Sequence, residues 1–289
     1  MRTKNILIIY NPAAHGGTSL ATKDDFVTYL KSQSIAYTVH TTNDSNDAEE
    51  VGLLIQKNNF DLISIIGGDG TINLAINSMP HFELPIHVVP AGSGNDLAKM
   101  LYNTNDLQHI FGLVTPDSKR TTPVDIWLCN DRKFANGFGA GFDGAIANGM
   151  DQKSYLIKGK IKYWIEIFRH IFFYKSSKYL INGDEQDTFM LSIANGKVYG
   201  GDFCVAPNAT IDDRLLDAIH IGDIPVHKRF YYLPILKSGK HLSRDFVSHS
   251  KGDCFTISAD KNIPAHLDGE PLLAKSYEIK YLCQVQALC

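Results

Sequence analysis

The sequence has little of what announces several large protein classes. Its five cysteines, Cys129, Cys204, Cys254, Cys283 and Cys289, are scattered, odd in number and without C-x-x-C spacing. That argues against a disulfide framework and against zinc, and fits reduced thiols in a cytoplasmic protein. No apolar run approaches the roughly 18 residues that a spanning helix needs. The N-terminus leads straight into a strand pattern, so no signal peptide is expected. Basic charge is not in excess: Lys+Arg number 28 against 31 Asp+Glu, a net charge of −3, so nucleic acid is not an expected partner. A Walker A loop, an H-E-x-x-H and a G-x-S-x-G are all missing, which argues against P-loop NTPases, zinc proteases and α/β-hydrolases. No internal repeat or low-complexity segment is present. What remains is a 289-residue chain, 44% hydrophobic, of one large or two medium globular domains.

The first half alternates strands, small-residue turns and helix patterns. Strands are expected at Ile6–Tyr10, Ile35–His40, Leu62–Ile66 and Ile86–Val89. The first ends in Asn11-Pro12-Ala13-Ala14-His15-Gly16-Gly17 and the second in Thr41-Thr42. The third ends in Gly67-Gly68-Asp69-Gly70-Thr71-Ile72-Asn73, and the fourth in Pro90-Ala91-Gly92-Ser93-Gly94-Asn95-Asp96. This order reads as a doubly wound parallel sheet, whose ligands sit beyond the carboxyl ends of the strands. Glycine lets backbone approach a ligand closely, and a helix N-terminus favours phosphate. Asp69 among such glycines repels phosphate unless a divalent cation lies between them, so the turn reads as a metal–nucleotide site. A tight turn with a solvated acid is the simpler alternative for this motif alone; the convergence of several such turns on one edge favours phosphate.

After Thr115-Pro116-Asp117 the chain becomes β-rich. Strands are expected at Val124–Leu128, Lys133–Gly139, Thr188–Asn195, Ala218–Gly222, Cys254–Ser258 and Tyr277–Leu282, which gives a mostly antiparallel second domain. Gly139-Ala140-Gly141-Phe142-Asp143-Gly144 matches G-x-G-x-x-G, but the following strand and its acid are missing, so the match is read as accidental. Lys153–Lys178 reads as one basic amphipathic helix. It either packs its apolar face on the second domain or lies on an anionic membrane. Leu267-Asp268-Gly269-Glu270-Pro271 carries an Asp-Gly hairpin signal. In extended backbone Asp268 and Glu270 would share a side.

Four motifs now stand in one order: Asn11-Pro12 after the first strand, Gly67-Gly68-Asp69-Gly70-Thr71, Gly92-Ser93-Gly94-Asn95-Asp96 and Asp268-Gly269-Glu270. In this the chain resembles the diacylglycerol-kinase catalytic family, and most of all the soluble bacterial diacylglycerol and lipid kinases, over essentially its whole length. The resemblance implies an N-terminal α/β/α nucleotide domain, here residues 1–124, and a β-sandwich lipid-substrate domain, here 125–289, with the active site in the cleft. It implies ATP contacts at Asn11, Pro12, Ala13, Ala14, His15, Thr41, Gly67, Gly68, Asp69, Gly70, Thr71, Ile72, Asn73, Ser93 and Asp96. Asp69 would stand next to the catalytic metal, and Asp96 and Asp125 would link to its network. Thr210, Asp213 and Leu215 would hold a structural Mg²⁺, and Glu270 would be the general base, with Asp268 orienting it or touching metal. One departure concerns that Mg²⁺: Arg214 stands where relatives often have Gly.

The expected activity is ATP- and Mg²⁺-dependent phosphorylation of the primary hydroxyl of diacylglycerol, or a related lipid, to give phosphatidic acid. The alternatives are an NAD kinase, which shares the Gly-Gly-Asp-Gly-Thr loop, and a non-catalytic nucleotide- or lipid-binding protein. The expected partner is lipid at the inner face of the cell membrane, with the protein cytoplasmic and peripheral; a homodimer is left open.

Overall fold

The structure, a computed structural model, describes residues 4–14, 19–43, 46–115, 120–151, 160–200 and 202–289, and side chains at all of these except 150, 151 and 160–164. Contacts divide the chain into two units, Met1–Ile126 with Leu282–Cys289, and Trp127–Tyr281. Among the described residues no helix is long and apolar enough to cross a membrane.

The first unit runs β1 (Asn5–Tyr10), α1 (Ser19–Ser32), β2 (Ala36–Thr41), α2 (Asp47–Lys57), β3 (Leu62–Gly67), α3 (Asp69–Ser78), β4 (Ile86–Pro90), α4 (Asp96–Leu101), α5 (Leu107–Gly112) and the start of β5 (Thr121–Cys129). Its strands are parallel in the order β2-β1-β3-β4. Ile6 to Ile9 and Ile63, Ile65 and Ile66 are fully buried, because helices cover both faces of such a sheet. Phe26 of α1 packs on Phe111 of α5, ring centroids 5.1 Å apart. Beneath them His87 is enclosed, accepting from Ser64 at Nδ1 and donating from Nε2 to the Ile110 carbonyl. Burial pushes its pKa down to about 4, so it is neutral. The chain leaves β1 toward β2 and returns to continue through β3 to β4. The strand order therefore reverses between β1 and β3, the place where such sheets bind ligands.

The second unit adds β6 (Arg132–Phe134), β7 (Gly137–Gly141), α6 (Phe142–Asp151), α7 (Lys160–Phe173), β8 (Ser177–Ile181), β9 (Asp184–Thr188), β10 (Met190–Ala194), β11 (Leu216–Ile221), α8 (Val226–Lys237), β12 (Val247–Gly252), β13 (Cys254–Leu267) and β14 (Glu270–Leu288). The last residues of β14 belong to the first unit, where Ala287 pairs with Ile86. Strands β12-β11-β10-β7-β13-β14 follow one another antiparallel, with the β8–β9 hairpin on β13. Alternation sends successive side chains to opposite faces. Leu191, Ile193, Leu216 and Ala218 join Trp127, Phe138, Ile257 and Tyr277 in one core, while Met190, Ala194, Ile219 and Ile221 join Phe142, Ile146, Ile167 and Ile171 in another. This is the expected β-sandwich, its outer core closed by helices.

One expectation needs correction, and two helices were not expected. The single helix over Lys153–Lys178 ends at Phe173, and Ser177 already opens β8, where alternating burial takes over; residues 153–159 lie outside the described residues. Helix α6 follows β7 directly, its period blurred by Ala145, Ala147 and Gly149. Helix α8 was unforeseen, because apolar residues surround it and Pro234 interrupts it. The G-x-G-x-x-G match thus does lie on a strand–helix junction, but its glycines serve packing. A Cβ on Gly139 would meet Asp143 and His266, and one on Gly144 would meet the Pro264 backbone.

Candidate active site

The turns after β1, β3 and β4 meet at the point where strand order reverses. Asn11 fixes the first of them: its backbone N–H donates to the Ile66 carbonyl, its Oδ1 accepts from Ala13, and its Nδ2 donates to Thr71 Oγ1 at 3.2 Å. That last bond ties the β1 turn to the start of α3. Gly68 is the N-cap of α3, and no side chain caps this helix. Pro12 and Ala13 are exposed, as is Thr41 at the end of β2. Ile72 and Asn73 are buried, so their side chains serve the fold. His15 lies outside the described residues.

Asp69 is clamped by the neighbouring turn. Its Oδ1 accepts from the backbone N–H groups of Asp96 (2.7 Å) and Leu97 (3.4 Å), the first N–H groups of α4. A carboxylate there is also favoured by the helix dipole. Asn95, in the left-handed region at φ 57°, closes the turn by bonding both N–H and C=O of Gly92. The two turns touch through backbone: a Cβ on Gly92 would stand 2.3 Å from Gly68 Cα, and one on Gly94 would stand 2.5 Å from Asp69 Oδ2. These glycines are therefore required by turn-on-turn packing, a reason that the motif alone does not reveal. Ser93 is exposed at the tip. Asp96 is buried with Lys99 Nζ at 3.5 Å, and Asp125 is fully buried, accepting from Gln284 Nε2 at 2.8 Å.

In the second unit the Asp-Gly signal is a hairpin turn. Asp268 and Gly269 take φ 50° and 90°, and Leu267 pairs with Glu270. Asp268 and Glu270 then part in role. The Asp268 carboxylate accepts three backbone N–H groups, from Ala135 (3.0 Å), Asn136 (2.9 Å) and Gly137 (2.9 Å). It locks the turn to the corner between β6 and β7. Glu270 is exposed on the first residue of β14. Beneath the turn lies buried His266, which no sequence signal marked. Its Nε2–H donates to Asp143 Oδ2 at 3.0 Å, and its Nδ1 accepts from Gly269. Burial alone would lower its pKa, but Asp143 and Asp268 outweigh burial and raise it.

Thr210, Asp213 and Leu215 do come together. Thr210 Oγ1 donates to Asp213 Oδ2 at 2.7 Å and the Leu215 N–H donates to Oδ1 at 3.0 Å. A cation is already among them: Lys251 Nζ lies 3.1 Å from Asp213 Oδ2 and 3.1 Å from Asp217 Oδ2. Burial alone would raise the Asp213 pKa, but Thr210, Lys251 and the Leu215 N–H hold it below the usual range. The resemblance implies Mg²⁺ held by the Thr210 and Leu215 carbonyls and the Asp213 carboxylate, and Lys251 shares one of that carboxylate's oxygens. Arg214 adopts φ 59°, the conformation that Gly takes at no steric cost. Among the described residues one group of three ligand types converges elsewhere, His40, Asp47 and Glu50. Asp47 is already bonded by His40 and by the Asn43 N–H, which explains the cluster without an ion.

The chain thus joins an α/β unit with small-residue turns along one sheet edge to a β-sandwich, and its relatives are kinases. Residues 5–129 match the diacylglycerol kinase catalytic domain, and residues 137–286 match the YegS C-terminal NAD kinase beta sandwich-like domain. The chain is 23% identical to a diacylglycerol kinase of Mycobacterium tuberculosis, over 97% of this chain and 94% of the relative. It is 25% identical to one of Staphylococcus aureus, over 92% and 86%. Among solved structures, a diacylglycerol kinase from Bacillus anthracis superimposes with a TM-score of 0.73 at 20% identity, covering 100% of this chain and 97% of that one. The chain belongs to the diacylglycerol kinase family.

Proposed function

We propose that the protein transfers the γ-phosphate of ATP to the primary hydroxyl of diacylglycerol, giving phosphatidic acid. The observation that carries this reading is the division of labour in the Asp268-Gly269-Glu270 turn. Asp268 accepts three backbone bonds that lock the turn, and the exposed Glu270 is the other carboxylate the turn presents. Glu270 would accept the proton of the acceptor hydroxyl, the one chemical task that phosphoryl transfer leaves to a side chain. The uncapped start of α3 and the turns at Asn11, Thr41 and Ser93 would receive the nucleotide phosphates and ribose. Mg²⁺ bound with ATP would be held near Asp69 and would neutralise charge on the transferred group. Asp69 would keep its orientation through α4.

A specific observation supports NAD kinase as the second reading, since the second domain matches an NAD kinase-like sandwich. The names of the full-length relatives favour a lipid. Radiolabelled ATP offered with diacylglycerol, monoacylglycerol, sphingosine, ceramide and NAD separates the two. Label in phosphatidic acid is expected; label in NADP would establish the second reading.

A further inference from the structure

Helix α7 carries two apolar faces. Ile167 and Ile171 enter the core, whereas Ile165, Phe168 and Phe172 are exposed at the same helical spacing, and Phe173 is 79% exposed. The outward face continues onto α8. The Phe230 ring lies 5.1 Å from Phe172 and 6.0 Å from Phe168, and Val226 and Tyr231 (64% exposed) extend the patch. Arg229 fastens the two helices together from beneath: its guanidinium donates to the Ile171 and Tyr174 carbonyls of one and the Ile224 carbonyl preceding the other. The patch is therefore a fixed part of the second unit. Monomeric proteins rarely expose so many contiguous aromatics without a partner.

The geometry points to an anionic lipid surface as the occupant, a docking face for the lipid-kinase activity proposed above, on which this inference rests. Charge carries the choice. Helix α8 has no acid, and the one acid of α7, Glu166, is buried against Arg169 and His170. Arg169 of α7 and His227 and Lys228 of α8 are exposed on the same two helices, and exposed Lys175 lies beside Phe172 and Phe173. Asp187 and Asp223 border one depression beside Phe173, and Asp223 accepts from Ser176. A second copy would bring like charge against like; an anionic bilayer attracts the cations while its interface takes the aromatic rings.

The test is sedimentation with vesicles of phosphatidylcholine alone and of phosphatidylcholine with phosphatidylglycerol, without ATP or diacylglycerol. Wild type is expected to bind the anionic vesicles and to release with salt. Phe172→Ser with Phe173→Ser, and separately Lys175→Glu with Lys228→Glu, change exposed side chains only; each is expected to lower binding at least tenfold while thermal unfolding stays put. Phosphorylation of short-chain, water-soluble diacylglycerol should be unchanged in both. Absence of wild-type binding, equal binding by both variants, or conversion of a wild-type dimer to monomer by the aromatic variant would each overturn the proposal. Vesicle binding without any lipid phosphorylation would leave this inference standing and sink the kinase reading; phosphorylation without vesicle binding would do the reverse.

Discussion

Replacing Asp268 by Asn separates structural from chemical carboxylates in the 268–270 turn. In the native turn one oxygen accepts from Ala135 and the other from Asn136 and Gly137, at 2.9 to 3.0 Å. Asn keeps one acceptor oxygen, sufficient for two of these donors. Its NH₂ then faces the third N–H and leaves that group unsatisfied, at a cost of about 1–3 kcal/mol. Weakening of the two retained bonds, now to a neutral acceptor, adds to this, so a loss of about 2–3 kcal/mol is expected. At roughly 2–4 °C per kcal/mol for chains of comparable size, Tm should fall by about 4–12 °C. Glu270→Gln alters an exposed residue and should leave Tm unchanged while kcat falls by about 10²–10⁴-fold. The assay is differential scanning calorimetry of both variants, with specific activity measured well below either transition. If Asp268→Asn melts with wild type yet is inactive, the assignment of Asp268 to backbone locking is refuted.

Other outcomes follow from the same contacts. Asp69→Asn keeps an acceptor for the Asp96 and Leu97 N–H groups, so circular dichroism should show a folded protein while phosphoryl transfer is nearly abolished; near-native turnover would exclude a role for its charge. Lys251→Met removes the ammonium from Asp213 and buried Asp217, with a loss on the order of 3 kcal/mol. Mg²⁺ should then raise the variant's Tm more than that of the nucleotide-free wild type; equal shifts in both would contradict competition by Lys251 for the Asp213 oxygen. Gly92→Ala drives a Cβ to 2.3 Å from Gly68 Cα and should destabilise by about 1–3 kcal/mol, read by urea unfolding. His87 ionises at about 4 when folded against about 6.5 when unfolded. The unfolded chain binds the proton first, so stability is full above that upper value and falls on acidification toward the lower one, by up to roughly 3 kcal/mol. His87→Gln should flatten this acid limb whatever its baseline stability; an unchanged slope would count against it.

The parallel sheet was legible because both-face burial writes uninterrupted runs such as Leu62–Ile66, and the Asp-Gly hairpin because its turn type demands those residues. Local chemistry thus showed where the turns lie. It did not show what holds them. Asp268 finds its donors more than 130 positions earlier in the chain, and Lys251 reaches Asp213 from 38 positions away. The glycines of the β3 and β4 turns read as room for phosphate, whereas much of their necessity is the approach of one turn to the other. The exposed face of α7 was half legible: periodicity found an apolar helix, but only packing shows that Ile167 and Ile171 go inward and Phe168 and Phe172 outward.

The central claim, that this chain phosphorylates a lipid hydroxyl with Glu270 as base, is tested most directly by organic-phase recovery of label from γ-labelled ATP with diacylglycerol in mixed micelles. The prediction is labelled phosphatidic acid with wild type and about 10²–10⁴-fold less with Glu270→Gln at unchanged ATP affinity. Label that stays in the aqueous phase on NAD, or phosphatidic acid formed equally well by Glu270→Gln, would contradict it.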